Sequence, residues 1–557
     1  MDASSLNISL SRSLSQPLSE VQSLGRDSLS PRILAAIDVG SNSIHMVVVR
    51  IDPAIPSFVV IGKAKETVRL GEFCTKTGSL TPEAMKRGYE ALERCLQVAW
   101  RLQAHSIVAV ATSAVREAPN GSDFIAKVQE GLGLTIDLIS GQEEARRIYL
   151  GALSGLDLNG QPHVFIDIGG GSTELSVGDG EDPTFLRSLK LGAVRLTQQF
   201  LVSDPPTPTE MDRLRSHIRD IAEVPSEKIK ELLLDQPVRL VGTSGTIETL
   251  ALWDLRDQEA SISPQRIHGY ELTLSKIRQF INQIGTLPVN ERRKIAGLVE
   301  RRAEIIIAGA VILEELMTLL GTDRLLYCSR SLREGLIVDW MLAQGLIEDR
   351  FRFQSSVRQR HVLRLASKYQ VDLDHAEQVA AFAVALFDQT QGILHQWQER
   401  ERNYLWAASI LHNCGHFVSH AAHHKHTYYL IRYGELLGFN EEEVEVIANL
   451  ARYHRKSPPK KKHENFQKLA NDTYRQIVIE LSPLLRLATA LDRRRVHPIQ
   501  GIRCHFDSPV SPKTMTLYLQ TNKPEDCALE LWSLGSKKEV FEDQFQIHLN
   551  AYLETRS

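Results

Sequence analysis

Cysteine, long apolar runs and net charge are what this 557-residue chain has little of. Its six cysteines, at 74, 95, 328, 414, 504 and 527, stand far apart and form no CxxC or other metal-ligand spacing. That excludes a disulfide scaffold and a zinc ribbon, and leaves reduced thiols in a cytoplasmic protein as the simplest expectation. No apolar run approaches about 18 residues without a charge, so no membrane-spanning helix is expected. The formal net charge is −3, too small for a global field that would draw the chain to nucleic acid or to a membrane. Residues 1–30, rich in Ser, Leu and Gln, lack the apolar core and cleavage pattern of a secretory signal and predict a disordered tail.

What is present is ordinary globular material, 43% hydrophobic and 24% charged, long enough for roughly three or four folding units. Within it one pattern occurs twice. "IDVGSNS" at 37–43 and "IDIGGGS" at 166–172 each end a buried-type strand in Asp, turn on Gly and Ser, and lead into another apolar strand. Strands Ile107–Ala111 and Val238–Val241 then end in Thr112-Ser113 and Thr243-Ser244, 74 residues after Asp38 and 76 after Asp167. Two weak motifs in matched order and spacing predict duplicated α/β domains facing each other across a cleft. Their ligand is expected beyond the carboxyl ends of the strands. Further strands are read at Leu134–Leu138 and Asp323–Tyr327, and helices from Pro82 to about Leu102, from Ser140 to Leu153 and over Ser331–Leu342.

The turns carry phosphate chemistry. Without a Cβ, Gly40, Gly169, Gly170 and Gly171 bring backbone N–H groups close to a ligand, and successive N–H groups cradle phosphate oxygens. Ser41, Asn42, Ser43, Ser172 and Thr173 add side-chain donors, and Gly242, Ser244, Gly245 and Thr246 form another anion nest. Asp38 and Asp167 repel phosphate but suit Mg²⁺ (or Mn²⁺), which is held through carboxylates and waters while binding substrate phosphate. Glu143 and Glu144 open a helix at the cleft edge, and Glu174 follows the second turn; a carboxylate there can orient and deprotonate a water. Acidic residues in a first helical turn are also favoured by the helix dipole alone. Arg69 and Arg116 are placed to fork onto phosphate oxygens, or else to solvate the surface.

Together "AAIDVGSNSIHMVVV", "VRLGE", "VATSAVREAPN", "ISGQEEAR", "VFIDIGGGSTELSVG", "LKLGAVRL", "VGTSGTIETLA" and "SLREGLI" run in order from Ala35 to Ile337. They resemble the exopolyphosphatase and guanosine pentaphosphate phosphohydrolase (Ppx/GppA) family of the actin-like, ribonuclease H-like ATPase superfamily. The resemblance implies Mg²⁺-assisted release of terminal phosphate from inorganic polyphosphate, placed first, or from guanosine pentaphosphate, with a homodimeric assembly. A small-molecule kinase of the same superfamily is a more distant alternative. It also implies Glu144 rather than Glu143 as the water-positioning base, Asp167 as the metal-associated aspartate and Glu174 as a second functional glutamate. The implied division is a tail at 1–30, actin-like domains at 31–157 and 158–337, a helical region at 338–500 and a small α/β unit at 501–557.

The helical region resembles the HD-related part of longer family members, with one departure. An HD site needs a His-Asp pair, and this chain has His412-Asn413, whose neutral amide is a poorer cation ligand. His375 and Asp492 fit the outer positions, and His412, His416, His420 and His424 recur every four residues across a doubtful Gly415. A basic strip of His424, His426, Arg452, Arg455, Lys456, Lys460, Lys461, Lys462 and Arg493 predicts salt-sensitive binding of a long polyanion. It lacks the interleaved aromatics of a nucleic-acid module. Alternating runs at Thr514–Leu519 and Cys527–Leu531 predict a terminal sheet.

Overall fold

The first lobe is built on β1 (Arg32–Val39), whose residues Leu34 to Ile37 are wholly buried. A strand covered on both faces needs an apolar side chain at each position, and this run supplies it. The computed structural model describes residues 31–53, 57–72, 77–234, 236–258, 267–347, 357–508, 510–522 and 524–555. The expected tail at 1–30 and Cys74 lie outside them.

β1 turns into β2 (Ser43–Asp52) and β3 (Ser57–Thr67), both antiparallel; after α1 (Pro82–Arg101) the chain returns parallel to β1 as β4 (Ser106–Ala111). α2 (Ser113–Glu117), α3 (Gly121–Leu132), β5 (Asp137–Leu138) and α4 (Gly141–Leu153) complete a sheet of order β3-β2-β1-β4-β5. α1 begins as the sequence predicts, with Pro82 in its first turn and Thr81 Oγ1 accepting from the Ala84 N–H at 3.1 Å. The strand expected over Leu134–Leu138 is only two residues long, because Leu134 and Ile136 join the core with Phe124 and Val128 instead.

The second lobe repeats the plan. Its elements are β6 (His163–Ile168), β7 (Thr173–Gly178), β8 (Phe185–Leu189), α5 (Ala193–Phe200), α6 (Pro208–Leu233), β9 (Leu240–Thr243), α7 (Ser244–Gln258), β10 (Glu271–Thr273), α8 (Leu274–Ile284), α9 (Val289–Arg292), α10 (Ile306–Leu320) and β11 (Arg324–Tyr327). The strand order β8-β7-β6-β9-β11 matches the first sheet, with β10 added at the edge. The chain thus carries duplicated actin-like α/β domains, followed by a helical region.

α11 (Leu332–Ala343) does not stay with the second lobe. Leu332, Leu336, Ile337, Val338 and Met341 share a core with Leu34, Ala36 and Val47 of the first sheet and with Ile148 of α4. The boundary expected at residue 337 therefore falls inside a helix that belongs to the first lobe's packing. α4 and α11 meet backbone to backbone: a Cβ on Gly335 would run into the Arg147 carbonyl, and one on Gly151 into the Ser331 backbone.

Beyond lie α12 (Val357–Lys368), α13 (Leu373–Thr390), α14 (Glu399–Leu411), α15 (His423–Arg432), α16 (Glu441–Arg452), α17 (Glu464–Gln467) and α18 (Asp472–Leu491). β12 (Gly501–Phe506), β13 (Thr514–Thr521) and β14 (His548–Thr555) form the terminal sheet, with α19 (Ala528–Lys537) and α20 (Glu539–Phe545) between its last two strands. One continuous core runs from Val362 to Leu549, so residues 501–555 pack as part of the helical region and not apart from it. The strand expected at Cys527–Leu531 is a helix. Its Ala, Leu and Glu are strong helix formers, and Leu531 and Leu534, three residues apart, pack together on the same core. Among the described residues no helix is long and apolar enough to cross a membrane.

Gly335→Ala forces the α4–α11 crossing apart, and overpacking of this kind costs roughly 1–3 kcal/mol. The expected outcome is a Tm lowered by several degrees in a thermal melt, with no comparable loss for an exposed control, Gly535→Ala, whose Cβ meets nothing within 4 Å.

Candidate active site

The two turns have the same local geometry. The Gly40 N–H donates to the Ser43 carbonyl at 3.2 Å, and the Gly169 N–H to the Ser172 carbonyl at 2.9 Å. These two amides are spent holding the turns, so the cradle for a ligand comes from the residues between them. The turns face each other: a Cβ on Gly170 would lie 3.2 Å from Ser41 Cβ, and one on Gly171 2.8 Å from Ser41 Oγ. Glycine at 170 and 171 is what lets the lobes close this far. A cavity of about 240 Å³ opens between them, lined by Ser41, Gly71, Gly170, Gly171, Arg195 and Gln198 among others.

Four buried carboxylates, none of them lining that cavity, lie within electrostatic reach of one another. Burial raises Asp38 to about 7, with the charges of Asp167 and Glu334 pushing the same way and Arg333 opposing. Asp167, 8% exposed, is raised by burial and restrained by hydrogen bonds from Ser331 and Thr243 and by the charges of Arg333 and Arg302. Its Oδ2 accepts from Ser331 Oγ at 2.5 Å and from Thr243 Oγ1. The register explains the second bond, since Asp167 pairs directly with Thr243 whereas Asp38 pairs with Val110.

Glu144, 6% exposed, is raised well above the carboxylate range by burial and by the charge of Glu174, against the pull of Arg116. Arg116 Nη1 donates to Glu144 Oε2 at 3.1 Å and to the Ile139 carbonyl at 2.7 Å, which fixes the carboxylate at the start of α4. Glu174 is raised to about 7 by burial and the charge of Asp167, and accepts from Ser188 Oγ at 2.8 Å. Glu143 points elsewhere. Its carboxylate is forked by Arg146 at 2.8 and 2.7 Å and met by Arg147 at 2.7 Å, and the Arg146 bond leads in holding it below its usual range.

The other expected residues divide. Ser41 Oγ meets Ser113 Oγ at 2.9 Å, and the Asn42 carbonyl accepts from the Arg69 N–H at 2.9 Å, so both stay at the cleft. Ser43 is bonded to His45 at 2.9 Å, and the Thr173 hydroxyl donates to the Leu191 carbonyl at 2.5 Å. Gly242 and Thr246 serve packing: a Cβ on Gly242 would strike Ile247 and Leu325, and Thr246 lies against Gly309. Ser244 is held at φ 86° with its Oγ buried and bonded to nothing among the described residues, a strained donor beside the cleft. Gly245 is covered by the Arg302 guanidinium. Arg69 bridges the lobes at 3.1 Å to Glu304. Sequence reasoning missed Arg195, whose Nε donates to the Gly171 carbonyl and whose Nη2 pairs with Glu117, each at 2.8 Å. It also missed Arg302, Arg333, Ser188 and Ser331; "SLREGLI" and "LKLGAVRL" held two of the arginines in plain view.

Among the described residues no three His, Cys, Asp or Glu side chains close into a ready-made cation cage. Mg²⁺ is commonly held by one or two carboxylates, waters and substrate phosphate, so it needs no such cage. Opposed aspartates whose ionised forms are disfavoured by burial fit an ion of that kind. In the helical region His375 Nδ1 meets Asp492 Oδ2 at 2.7 Å, beside His412. The every-fourth-residue histidine register breaks, since α14 ends at Leu411 and α15 begins at His423. The lysines of the basic strip are exposed, as is Arg493, while His424, His426, Arg452 and Arg455 are half-buried.

The chain matches the Ppx/GppA phosphatase family over residues 47–344 and Ppx/GppA phosphatase domain III over residues 357–538. The guanosine-5'-triphosphate,3'-diphosphate pyrophosphatase of Photobacterium profundum is 30% identical over 476 residues, 85% of this chain and 89% of that protein. Among solved structures, an exopolyphosphatase from Cytophaga hutchinsonii is similar with a TM-score of 0.52 at 24% identity, over 57% of this chain and 100% of its own. The Aquifex aeolicus Ppx/GppA family member is 28% identical with a TM-score of 0.48, covering 57% of this chain and 99% of that one. On the two family matches and the extent of the Photobacterium similarity, the chain belongs to the Ppx/GppA phosphatase family.

Proposed function

We propose that the chain removes the terminal phosphoryl group of guanosine-5'-triphosphate,3'-diphosphate by attack of a water positioned by Glu144. At the coarser level it is a Ppx/GppA-family phosphohydrolase acting on substrates of the polyphosphate or guanosine pentaphosphate type. The observation that carries the mechanism is the Arg116 clamp on a deeply buried Glu144 beside Glu174. The choice of guanosine substrate rests on the Photobacterium relative, and it reverses the order expected from the basic strip.

The terminal phosphoryl enters between residues 41–43 and 170–172, where the turn amides, Ser244 Oγ and the Arg302 and Arg333 guanidinium groups receive its oxygens. Asp38 and Asp167 would hold Mg²⁺ (or Mn²⁺), which when bound offsets charge on the phosphoryl oxygens. Glu144 takes the proton of the attacking water. A new O–P bond forms as the terminal anhydride bond breaks, releasing orthophosphate and the shortened nucleotide. Ser188 and Arg116 keep the two glutamates from drifting as their charges change.

Inorganic polyphosphate remains a second reading because exposed Lys456, Lys460, Lys461 and Lys462 favour a long polyanion. Comparison of kcat/KM on the two substrates decides: a preference of about tenfold or more for polyphosphate overturns the first reading. Under the second reading, replacing the four lysines with Gln raises KM for long chains and flattens its salt dependence, leaving short substrates untouched.

Glu144→Gln is expected to lower kcat by roughly 10²–10⁴-fold with KM little changed. The same variant has a stability signature. A carboxyl raised by folding binds more protons in the native state than in the unfolded one, so the wild type loses stability as pH climbs above the ordinary carboxylate range. Without added metal or phosphate, Glu144→Gln should melt a few degrees above wild type at about pH 8, and the gap should close near pH 4. An unchanged kcat would move the base elsewhere in the cleft.

A further inference from the structure

The loop from β11 to α11, residues 328–331, is held one residue at a time. The Cys328 N–H donates to the Gly242 carbonyl at 2.8 Å. The Ser329 N–H donates to His268 Nδ1 at 3.2 Å, which leaves the ring proton on Nε2, and Nε2 donates to the Gly155 carbonyl at 3.0 Å. The Ser331 N–H donates to Glu334 at 3.0 Å, and the Ser331 hydroxyl donates to Asp167 at 2.5 Å. All of these braces come from the two lobes. The brace on Arg330 does not.

Arg330 is 4% exposed. Its stem lies against Gly155, where a Cβ would come within 2.9 Å of Arg330 Cγ, and its guanidinium lies over the Phe58 ring at 4.7 Å. Its Nη2 donates to Glu435 Oε1 at 3.0 Å, the one carboxylate bonded to it among the described residues. Glu435 belongs to the helical region, in the loop between α15 and α16. Arg364 of α12 ties that loop down: Nη2 donates to the Glu435 carbonyl at 2.9 Å and to its carboxylate at 3.1 Å, and Nη1 donates to the Phe58 carbonyl at 3.1 Å. The Gly438 N–H, three residues on, donates to the Gly155 carbonyl at 2.9 Å.

A buried guanidinium is costly without a counter-charge. Arg360 and Arg364 lie within electrostatic reach of Arg330, so its surroundings are already cationic. Deleting the Glu435 carboxylate leaves these cations facing one another. The Arg330 stem is confined between Gly155 and Phe58, so relief comes through the backbone at 330, one peptide from Ser331. A charge on the helical region thus bears on a hydroxyl that holds Asp167.

We propose that Glu435 is a positioning residue for the cleft: through Arg330 it sets the Ser331 hydroxyl on Asp167, so that the helical region holds the metal-side aspartate in the orientation that binds a divalent cation. Glu435 touches neither substrate nor metal. Its side chain is half exposed, so it closes over the buried guanidinium from outside and can be altered without opening a core. The inference rests on Asp167 being a metal-side aspartate, as read above. It depends neither on which anhydride is cleaved nor on Glu144 being the base.

The test measures Mn²⁺ binding to the full chain from the loss of the free-ion electron paramagnetic resonance signal, alongside the Mg²⁺ concentration that half-activates phosphate release from guanosine pentaphosphate. Loss of a hydrogen bond to a metal-holding carboxylate weakens metal affinity by roughly 10–100-fold, so Ser331→Ala is expected to raise the Mn²⁺ Kd about tenfold. Glu435→Ala is expected to raise it roughly three- to tenfold, with Glu435→Gln between that variant and wild type. The double variant should match Ser331→Ala alone within about twofold, since one residue acts through the other. Arg358→Met breaks a different tie of the same interface, to Asp157 at 3.3 Å and to Glu443 at 3.4 Å. It should lower Tm and leave metal affinity unchanged. Equal weakening by Arg358→Met shows a merely structural role and overturns the proposal, as does a double variant whose losses multiply. Asp167→Asn separates this proposal from the reading beneath it. If that variant leaves Mn²⁺ affinity unchanged, the metal assignment falls and this proposal falls with it; if it weakens binding while Glu435→Ala does not, this proposal falls alone.

Discussion

Asp38, Asp167, Glu144 and Glu174 are buried close together, and the penalty that burial puts on their charges, with repulsion added to it, is the constraint around which the rest is arranged. Isolated buried carboxylates neutralise themselves by holding protons. Here each has its own restraint: two hydroxyls on Asp167, an arginine on Glu144, a serine on Glu174 and the Arg333 charge beside Asp38. None of these cancels the penalty of burial. Ionising all four together therefore demands positive charge brought to the site.

The duplication is unequal in a way that serves this. Both turns close with the same Gly-to-Ser hydrogen bond, yet the second is pressed against the first through glycines and pinned by Arg195. The two-residue difference in strand register gives Asp167 a threonine hydroxyl that Asp38, paired with Val110 and not Thr112, lacks. Two copies of one strand–turn–strand unit have thus been given different electrostatic partners. The second copy carries the more elaborately braced carboxylate.

Much of this was legible from sequence because it is local. Strand, Asp, glycine turn and strand follow one another without interruption from 32 to 52 and from 163 to 178, and the spacing to Thr112 and Thr243 exposed the duplication. Arg302 escaped for the opposite reason, since it reaches Asp167 from far along the chain, and Arg333 and Ser331 stood in a quoted stretch but only the fold brings them to Asp167. α10 had no readable period because it is buried almost all round. The five residues from Cys527 were too short for alternation to tell strand from helix. The boundary at 337 failed because a helix that follows the second lobe in sequence packs on the first. Glu143 and Glu144 are neighbours on one helix turn, and only packing separates the glutamate gripped by Arg146 from the one aimed inward.

The glycine contact between α4 and α11 fixes where Ser331 sits. Backbones that touch leave no layer of side chains to shear, so α11 cannot slide along α4 without overlap. Ser331 stands at that contact, its backbone against Gly151 and its hydroxyl on Asp167. A helix packed on the first sheet thereby supplies a hydroxyl to an aspartate of the second. The lobes are tied at this buried point as well as through the exposed Arg69–Glu304 pair.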